Sequence, residues 1–532
     1  MKSSKYLNYS GIYMFGLLVL AVGLPLSNFL MSIGQVVVGI AWLMEGGYKR
    51  RLQGLLSNKG VLIFLSIFFL HILGLLYSTD YTYAFNDLRI KLPLLVLPFL
   101  IATSEKIKKK NLAYIMLVFS GAVLIGTLVS VGELIGINNW FRSFAGIPEN
   151  VILDVRYISL YISHIRFSLM ICLSIFWLIF SVSDNSIPFK LSKWLFLLVA
   201  LWLLLFLFLL ESITGLGIMI IAGFIWLVYR AIAIKNIKKR IISLLGISLL
   251  PVVLMLYMVN LIEGFYHVEP EQIENLDQKT ADGYVYFHDK ENRQMENGKR
   301  VWIYICKEEL EPAWNKRSSL AFSGKDRKGQ HLEYTLLRFM TSKGLRKDRV
   351  SLQKLTDFEI EMVENGIANI RFATTSSIEA KLYGVIWEMD SYYHGGSPGG
   401  HSVVQRWEYW KTAFHVIRQN WLIGVGTGDV LNKMYVAYEN SQTIMEEKYW
   451  KRPHNQFLSI GVAFGVMGML WFLACMLIPV RYYPDNADKL FFVFLLIALL
   501  SMLTEDTLET QAGATFVSYF YALLLFGRSA DR

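Results

Sequence analysis

Three side chains stand out for their chemistry. His454 is followed by Asn455 in KRPHNQFLSIGVAFGVMGMLWFL, where a polar stretch gives way to a long apolar run. An imidazole with an ordinary pKa near 6.5 can accept a proton at neutral pH, so His454 is the best candidate base, although a lone His at a helix start is more commonly a cap or interface residue. Arg406, in RWEYWKTAFHVI, and Arg166, in SHIRFSLMI beside His164, also lie at the edges of apolar sequence. Arg89 and Lys91 (DLRIKLPLL) and the acidic trio Glu505, Asp506 and Glu509 complete the set. Guanidinium groups bind phosphate bidentately and stay charged at any relevant pH. Arginines gathered at one membrane face would therefore suit a phosphate-rich ligand such as a lipid pyrophosphate.

Each of these has an ordinary reading. Arg89, Lys91 and Arg166 would snorkel to the interface, and for Lys91 taken alone that reading is preferred. For Arg166 the functional reading is preferred, because it has His164 beside it and a cation on that side runs against the charge trend described below. The carboxylates read as a solvated loop or as internal partners of the cations. Arg406 could be an ordinary headgroup contact. The glycines of NWLIGVGTGDV (Gly424, Gly426, Gly428) make a tight turn. Phosphate binding by their backbone N–H groups is the weaker reading, since no preceding strand and no Gly-Lys pair is present.

The elements that must position these groups are apolar helices. The chain has 532 residues, 54% hydrophobic and 18% charged, with mean hydropathy +0.41, too apolar for a water-soluble protein of this length. A hydrocarbon layer about 30 Å thick needs roughly 20 apolar residues per helix. Twelve segments are predicted, near 11 to 29, 31 to 45, 60 to 77, 88 to 103, 112 to 136, 164 to 182, 193 to 210, 213 to 230, 241 to 262, 455 to 479, 489 to 504 and 512 to 527. The expected fold is an all-α polytopic membrane protein. AVGLPLSNF lacks a small-x-small cleavage site, so the first segment is expected to remain in place.

The net charge of +10 is topological and does not indicate nucleic-acid binding. One set of connections carries Lys2 and Lys5, Lys49 to Arg51, Lys59, Lys106, Lys108 to Lys110, Lys190, Lys193, Arg230, Lys235, Lys238 to Arg240, Arg481, Lys489, Arg528 and Arg532. The alternate set, near 78 to 87, 137 to 163, 211 to 212 and 505 to 511, holds only Arg142 and Arg156. By the positive-inside rule both termini are cytoplasmic, and the polar segment from about 263 to 454 lies outside. Chemistry there has no access to ATP or nucleotide sugars. Cys172, Cys306 and Cys475 provide neither a disulfide framework nor a metal site, no D-x-D metal motif is present, and no cofactor is expected.

Four regions follow: helices over 1–262, a soluble insert over 263–400, amphipathic helices with the Gly turn over 401–454, and closing helices over 455–532. Within the insert, GYVYFH and RVWIYI read as strands, and KEELEPAW, LEYTLLRFM and FEIEMVENGIAN as helices. Thr356 with Glu359 forms a capping box and Gly366 a helix stop. HGGSPGGHS is a hinge, and Val403 to Asn420 an amphipathic helix expected to lie along the membrane surface.

Taken together, Gln405 to Phe472 resembles the signature region of the O-antigen ligase and O-antigen polymerase superfamily. The matching elements are RWEYWKTAFHVI, the glycine turn of NWLIGVGTGD, a Tyr-containing stretch, and HNQFLSIGVAFGVMGMLWFL. SHIRFSL and EDTLETQAGATF are similar to family features too. The resemblance, most like O-antigen ligase, implies a GT-C-like helical fold in a bacterial inner membrane and a periplasmic site serving lipopolysaccharide biosynthesis. The implied donor is a glycan on undecaprenyl pyrophosphate, and the acceptor a sugar hydroxyl of lipid A core or another glycan. By carry-over, Arg166 and Arg406 would hold the pyrophosphate and His454 would take the acceptor proton in a metal-independent, inverting displacement. His164, Arg89, Lys91, Asn455 and the three glycines would shape the substrate site. A polymerase, a protein glycan ligase and, in another class, a polysaccharide-lipid flippase are the alternatives. Against the flippase stand the absence of pairwise repeats and charges at one face instead of the midplane.

Overall fold

The computed structural model describes residues 9–135, 162–186, 188, 191–266, 275–374 and 377–529. Lys2, Lys5, Arg142, Arg156, Lys190 and Arg532, used above to orient the chain, lie outside the described residues. Helix dominates. Among the described residues, eight helices are long and apolar enough to cross a membrane: Tyr9–Leu26, Asn28–Glu45, Lys59–Tyr77, Lys109–Leu134, His164–Ser183, Ile213–Ile232, Ile237–Tyr266 and Gln456–Tyr482. Lys193–Leu209, Lys489–Thr504 and Gln511–Phe526 are shorter apolar helices. The segment expected over 88 to 103 is divided. Pro93 has no N–H to return to the preceding turn, so it closes Tyr81–Lys91 and opens Pro93–Thr103.

The chain forms two compact units, Met1–Ala233 with Arg406–Arg532, and Ile234–Gln405. In the first, His164–Ser183 is the most enclosed span, so Arg166 sits one turn into a helix whose remainder is core. Gln456–Leu477 is interrupted at Gly465, whose φ of +67° is open to glycine but costly for other residues. Lys489–Thr504 and Gln511–Tyr521 flank the acidic connection 505–510.

The second unit begins with Ile237–Tyr266, whose Leu261 and Phe265 pack on Tyr383 and Ile386 of Ser377–Tyr393. A separate core gathers Trp314, Leu336, Phe339 and Val363 from the helices Lys307–Asn315, Leu332–Ser342 and Asp357–Glu364. The capping box is formed: Thr356 N–H donates to Glu359 Oε2 at 2.8 Å and Glu359 N–H to Thr356 Oγ1 at 3.3 Å. Gly366, at φ +73°, follows the helix end. The expected strands are a correction. Among the described residues, the sheet is the hairpin Met295–Glu296 with Lys299–Arg300, plus single bridges such as Phe287 with Ile305. Tyr304 turns left-handed at φ +56°, which breaks RVWIYI as a strand even though Val301, Ile303 and Ile305 are buried. All three cysteines are free and buried.

Candidate active site

The His454–Asn455 pair is locked in place by one carboxylate. Asp506 accepts the backbone N–H groups of His454 and Asn455, each at 3.1 Å, and the Ser459 hydroxyl at 2.6 Å. Asn455 is the N-cap of Gln456–Leu477, accepting Leu458 N–H at 3.1 Å, and its amide donates to Leu503 O at 2.8 Å. His454 is held at φ +48°, an uncommon backbone for a side chain of this size. Its ring stacks on Tyr409, with centroids 5.5 Å apart and planes 28° apart.

Glu505 joins the histidine to the arginines. Its Oε1 is 2.5 Å from the Arg406 guanidinium and its Oε2 is 3.6 Å from His454 Nδ1. Arg406 Nε also donates to Thr504 O at 3.2 Å. Burial pushes the Glu505 carboxyl up, but His454 and Arg406 pull it further down, and it ends below the usual carboxylate range. Asp506 goes the other way: burial raises it more than Arg452 lowers it. Arg166 lies within electrostatic reach of Glu505 and Asp506. Its Nε is buried without a hydrogen-bond partner among the described residues. His164 opens the same helix.

A second network shares the acidic connection. Lys91 Nζ lies 2.5 Å from Asp87 and 2.6 Å from Glu509. Arg452 reaches Glu509 at 2.8 Å and the Tyr83 hydroxyl at 2.5 Å. Gln456 donates to Glu509 at 3.1 Å and accepts Leu508 N–H at 2.7 Å. Burial raises Glu509, yet Arg452 and Lys91 outweigh it and hold the carboxyl well below its ordinary value. Lys91 is 1% exposed and does not snorkel; its two carboxylate partners compensate the buried charge. Glu505 and Asp506 are buried and the Glu509 side chain is 8% exposed, so the trio serves as internal partners of cations and not as a solvated loop. Arg89 is exposed and bonds to Asn86 at 2.8 Å, away from this network.

The glycine turn is a packed joint. Gly424 N–H donates to Asn420 O, Val425 N–H to Val462 O, and Gly426 N–H to Ala463 O, all at 2.9 Å. Gly428 N–H donates to Ser78 Oγ at 2.9 Å. These four N–H groups are already used within the protein. A Cβ at Gly424 would come within 2.4 Å of Ala463 and Phe464 backbone, so the chains touch only because no side chain is there. Asp429 then accepts Thr79 N–H and hydroxyl at 2.8 and 2.7 Å and Asp80 N–H at 3.0 Å.

The structure thus brings Arg406, His454, Asn455 and Arg166 around Glu505 and Asp506, with Lys91 in the adjoining network. Sequence reasoning passed over Arg452, Asp87, Tyr83 and Tyr409. Arg452 and Asp87 each carried a signal, a cation two residues before the histidine and a carboxylate four residues before Lys91 on one helix; Tyr83 carried none, because its partner Arg452 lies hundreds of positions away.

A multi-pass helical membrane protein with a His–Arg–carboxylate centre at the mouth of one span is the class these features define. Residues 365–473 match the family model described as O-antigen ligase. That stretch includes Arg406, the glycine turn, His454 and Asn455, and it supports membership of the O-antigen ligase superfamily, with ligase or polymerase chemistry in general. A comparison with curated proteins finds no match.

Proposed function

We propose that this protein is a glycosyltransferase that moves a glycan from undecaprenyl pyrophosphate to a sugar hydroxyl, lipid A core in the ligase case, at the periplasmic face of a bacterial inner membrane. The observation that carries the reading is the shared carboxylate: Glu505 spans Arg406 and His454, with Arg166 in reach. In this reaction the acceptor oxygen bonds to the anomeric carbon from the face opposite the leaving group. The bond from that carbon to the pyrophosphate oxygen breaks, and the electron pair leaves with the pyrophosphate. The acceptor proton goes to His454, giving an inverted product in one displacement.

Arg406 and Arg166 neutralise the charge that grows on the leaving group, which is usually the largest catalytic contribution. The pyrophosphate competes with Glu505 for Arg406. As His454 becomes an imidazolium, Glu505 on its Nδ1 side is the counter-charge. Stacking on Tyr409 and the clamp from Asp506 fix the ring and its backbone. No nucleotide is required, because the donor already carries its leaving group.

Reconstitution tests the proposal: purified protein, undecaprenyl-pyrophosphate glycan and candidate acceptors, with no nucleotide and with chelator present. Transfer with inversion is the expected result; no transfer to any glycan acceptor would overturn it. Cells lacking the protein separate the two superfamily activities. Full-length glycan stranded on the lipid carrier marks a ligase, and single repeats attached to core mark a polymerase.

A further inference from the structure

The amphipathic pattern from Val403 onward predicts a helix lying flat on the membrane, but three contacts give it a different course. Tyr409 stacks on His454. Ile417 lies against Gly461, where an added Cβ would come within 2.8 Å of its Cδ1. The Trp421 carbonyl accepts Val466 N–H at 2.8 Å. The residue offset between the two chains is 45, 44 and 45, so from Arg406 onward the helix runs side by side with Gln456–Leu477 and in the same direction. It starts at the mouth of the span and follows it inward. At 1.5 Å per residue, Val466 is about 15 Å along the span from Gln456, and the turn lies level with the last residues of Lys59–Tyr77, whose Tyr77 hydroxyl it binds.

At that level the chain turns through Trp421–Gly426, and non-helical backbone in hydrocarbon survives only if the protein satisfies its polar groups. Here it does. Ile423 O accepts the Tyr77 hydroxyl at 2.8 Å, Trp421 O accepts Val466 N–H, and Gly424, Val425 and Gly426 donate as described above. The break at Gly465 frees Val462 and Ala463 carbonyls to receive two of those donors. The side chains do the opposite: Trp421, Leu422 and Ile423 are 60, 48 and 59% exposed. A turn bonded through five backbone groups, with bare apolar side chains, alongside a membrane-spanning helix, fits hydrocarbon better than water.

We propose that Trp421–Gly426 is a re-entrant turn, with Trp421, Leu422 and Ile423 in contact with the acyl chains of bilayer phospholipid. The helix bearing Arg406 is its descending arm. Lys411 and Arg418 are exposed on that arm. Helical side chains lean toward the N-terminus, which here is the mouth, so both cations reach back to the headgroups.

Spin-label depth measurement on the full chain tests this, in vesicles of phosphatidylethanolamine and phosphatidylglycerol. Nitroxides are placed at Ile423→Cys, Trp407→Cys and Lys448→Cys, all exposed positions. The unmutated chain supplies the background from its buried cysteines. The 423 label should collide with oxygen several-fold more, relative to a water-soluble nickel chelate, than the 448 label, and should lie deeper than the 407 label. Nickel access at 423 equal to that at 448 would mean the turn faces water and would overturn the proposal. A 423 label no deeper than 407 would restore the flat helix and overturn it as well.

Discussion

Glu505 and Glu509 sit four residues apart on one short connection, and each pairs with two cationic or basic groups, yet the surroundings give them different work. Glu509 meets Lys91 and Arg452 where Lys91 is 1% exposed. Glu505 meets Arg406 and His454, whose side chains are 26% and 33% exposed. A buried pair cannot exchange partners without leaving a charge uncompensated, whereas a half-open pair can release a cation to an incoming anion. The first network holds the helices Tyr81–Lys91 and Gln456–Leu477 to the acidic connection. In the proposed reaction the second is the one that a ligand enters.

That contrast is broken most forcefully at Lys91. Lys91→Met leaves Asp87 and Glu509 short of a cation and is expected to cost about 3 to 5 kcal/mol, seen as a lowered melting temperature or loss of the monodisperse peak in detergent. Arg406→Ala should leave the protein folded and reduce transfer by about 10² to 10³, measured in the reconstituted assay beside a melting curve. Should Arg406→Ala unfold the protein as Lys91→Met does, the division of labour fails. His454→Ala is expected to remove a base contribution in the range of about 10² to 10⁴; wild-type transfer by the purified variant would remove the residue from the reaction.

The smallest effect is one of pH. Glu505 lies below its ordinary value in the folded protein, so the stability it contributes is present above the unfolded value, about 4.3, and is lost as pH falls through the folded one. Asp506, raised by burial, has the opposite sign. The comparison of wild type with Glu505→Gln isolates the Glu505 contribution. The melting temperatures of the two should converge as the pH is lowered through the acid range.

Much of this arrangement was legible in the sequence, and the reason differs from part to part. Hydropathy located the apolar segments because burial in lipid demands long uninterrupted runs, and the split at Pro93 was the place where backbone chemistry overrode that count. His454, Arg406 and Arg166 were legible because charge beside an apolar run is expensive and seldom accidental. Their carboxylate partners were visible as residues but not as pairs. Asp87 and Glu509, or Arg406 and Glu505, meet only through tertiary packing, and no local pattern encodes that. The glycines of the turn announced a turn but not what it packs on, since Gly465 is one of several glycines in an apolar run. RVWIYI misled for a related reason, its apolar residues being buried in irregular chain because Tyr304 bends the other way.

The left-handed backbone at His454 ranks the possible replacements on grounds unrelated to proton transfer. Glycine occupies φ +48° without penalty and asparagine tolerates it, whereas a branched valine or isoleucine there is a steric outlier. His454→Asn therefore deletes the imidazole while keeping the bend that presents two N–H groups to Asp506. A valine at the same position would spoil the bend itself. Random mutagenesis of the codon should consequently yield two kinds of inactive protein, one still well assembled and one not, and only the first kind reports on the ring.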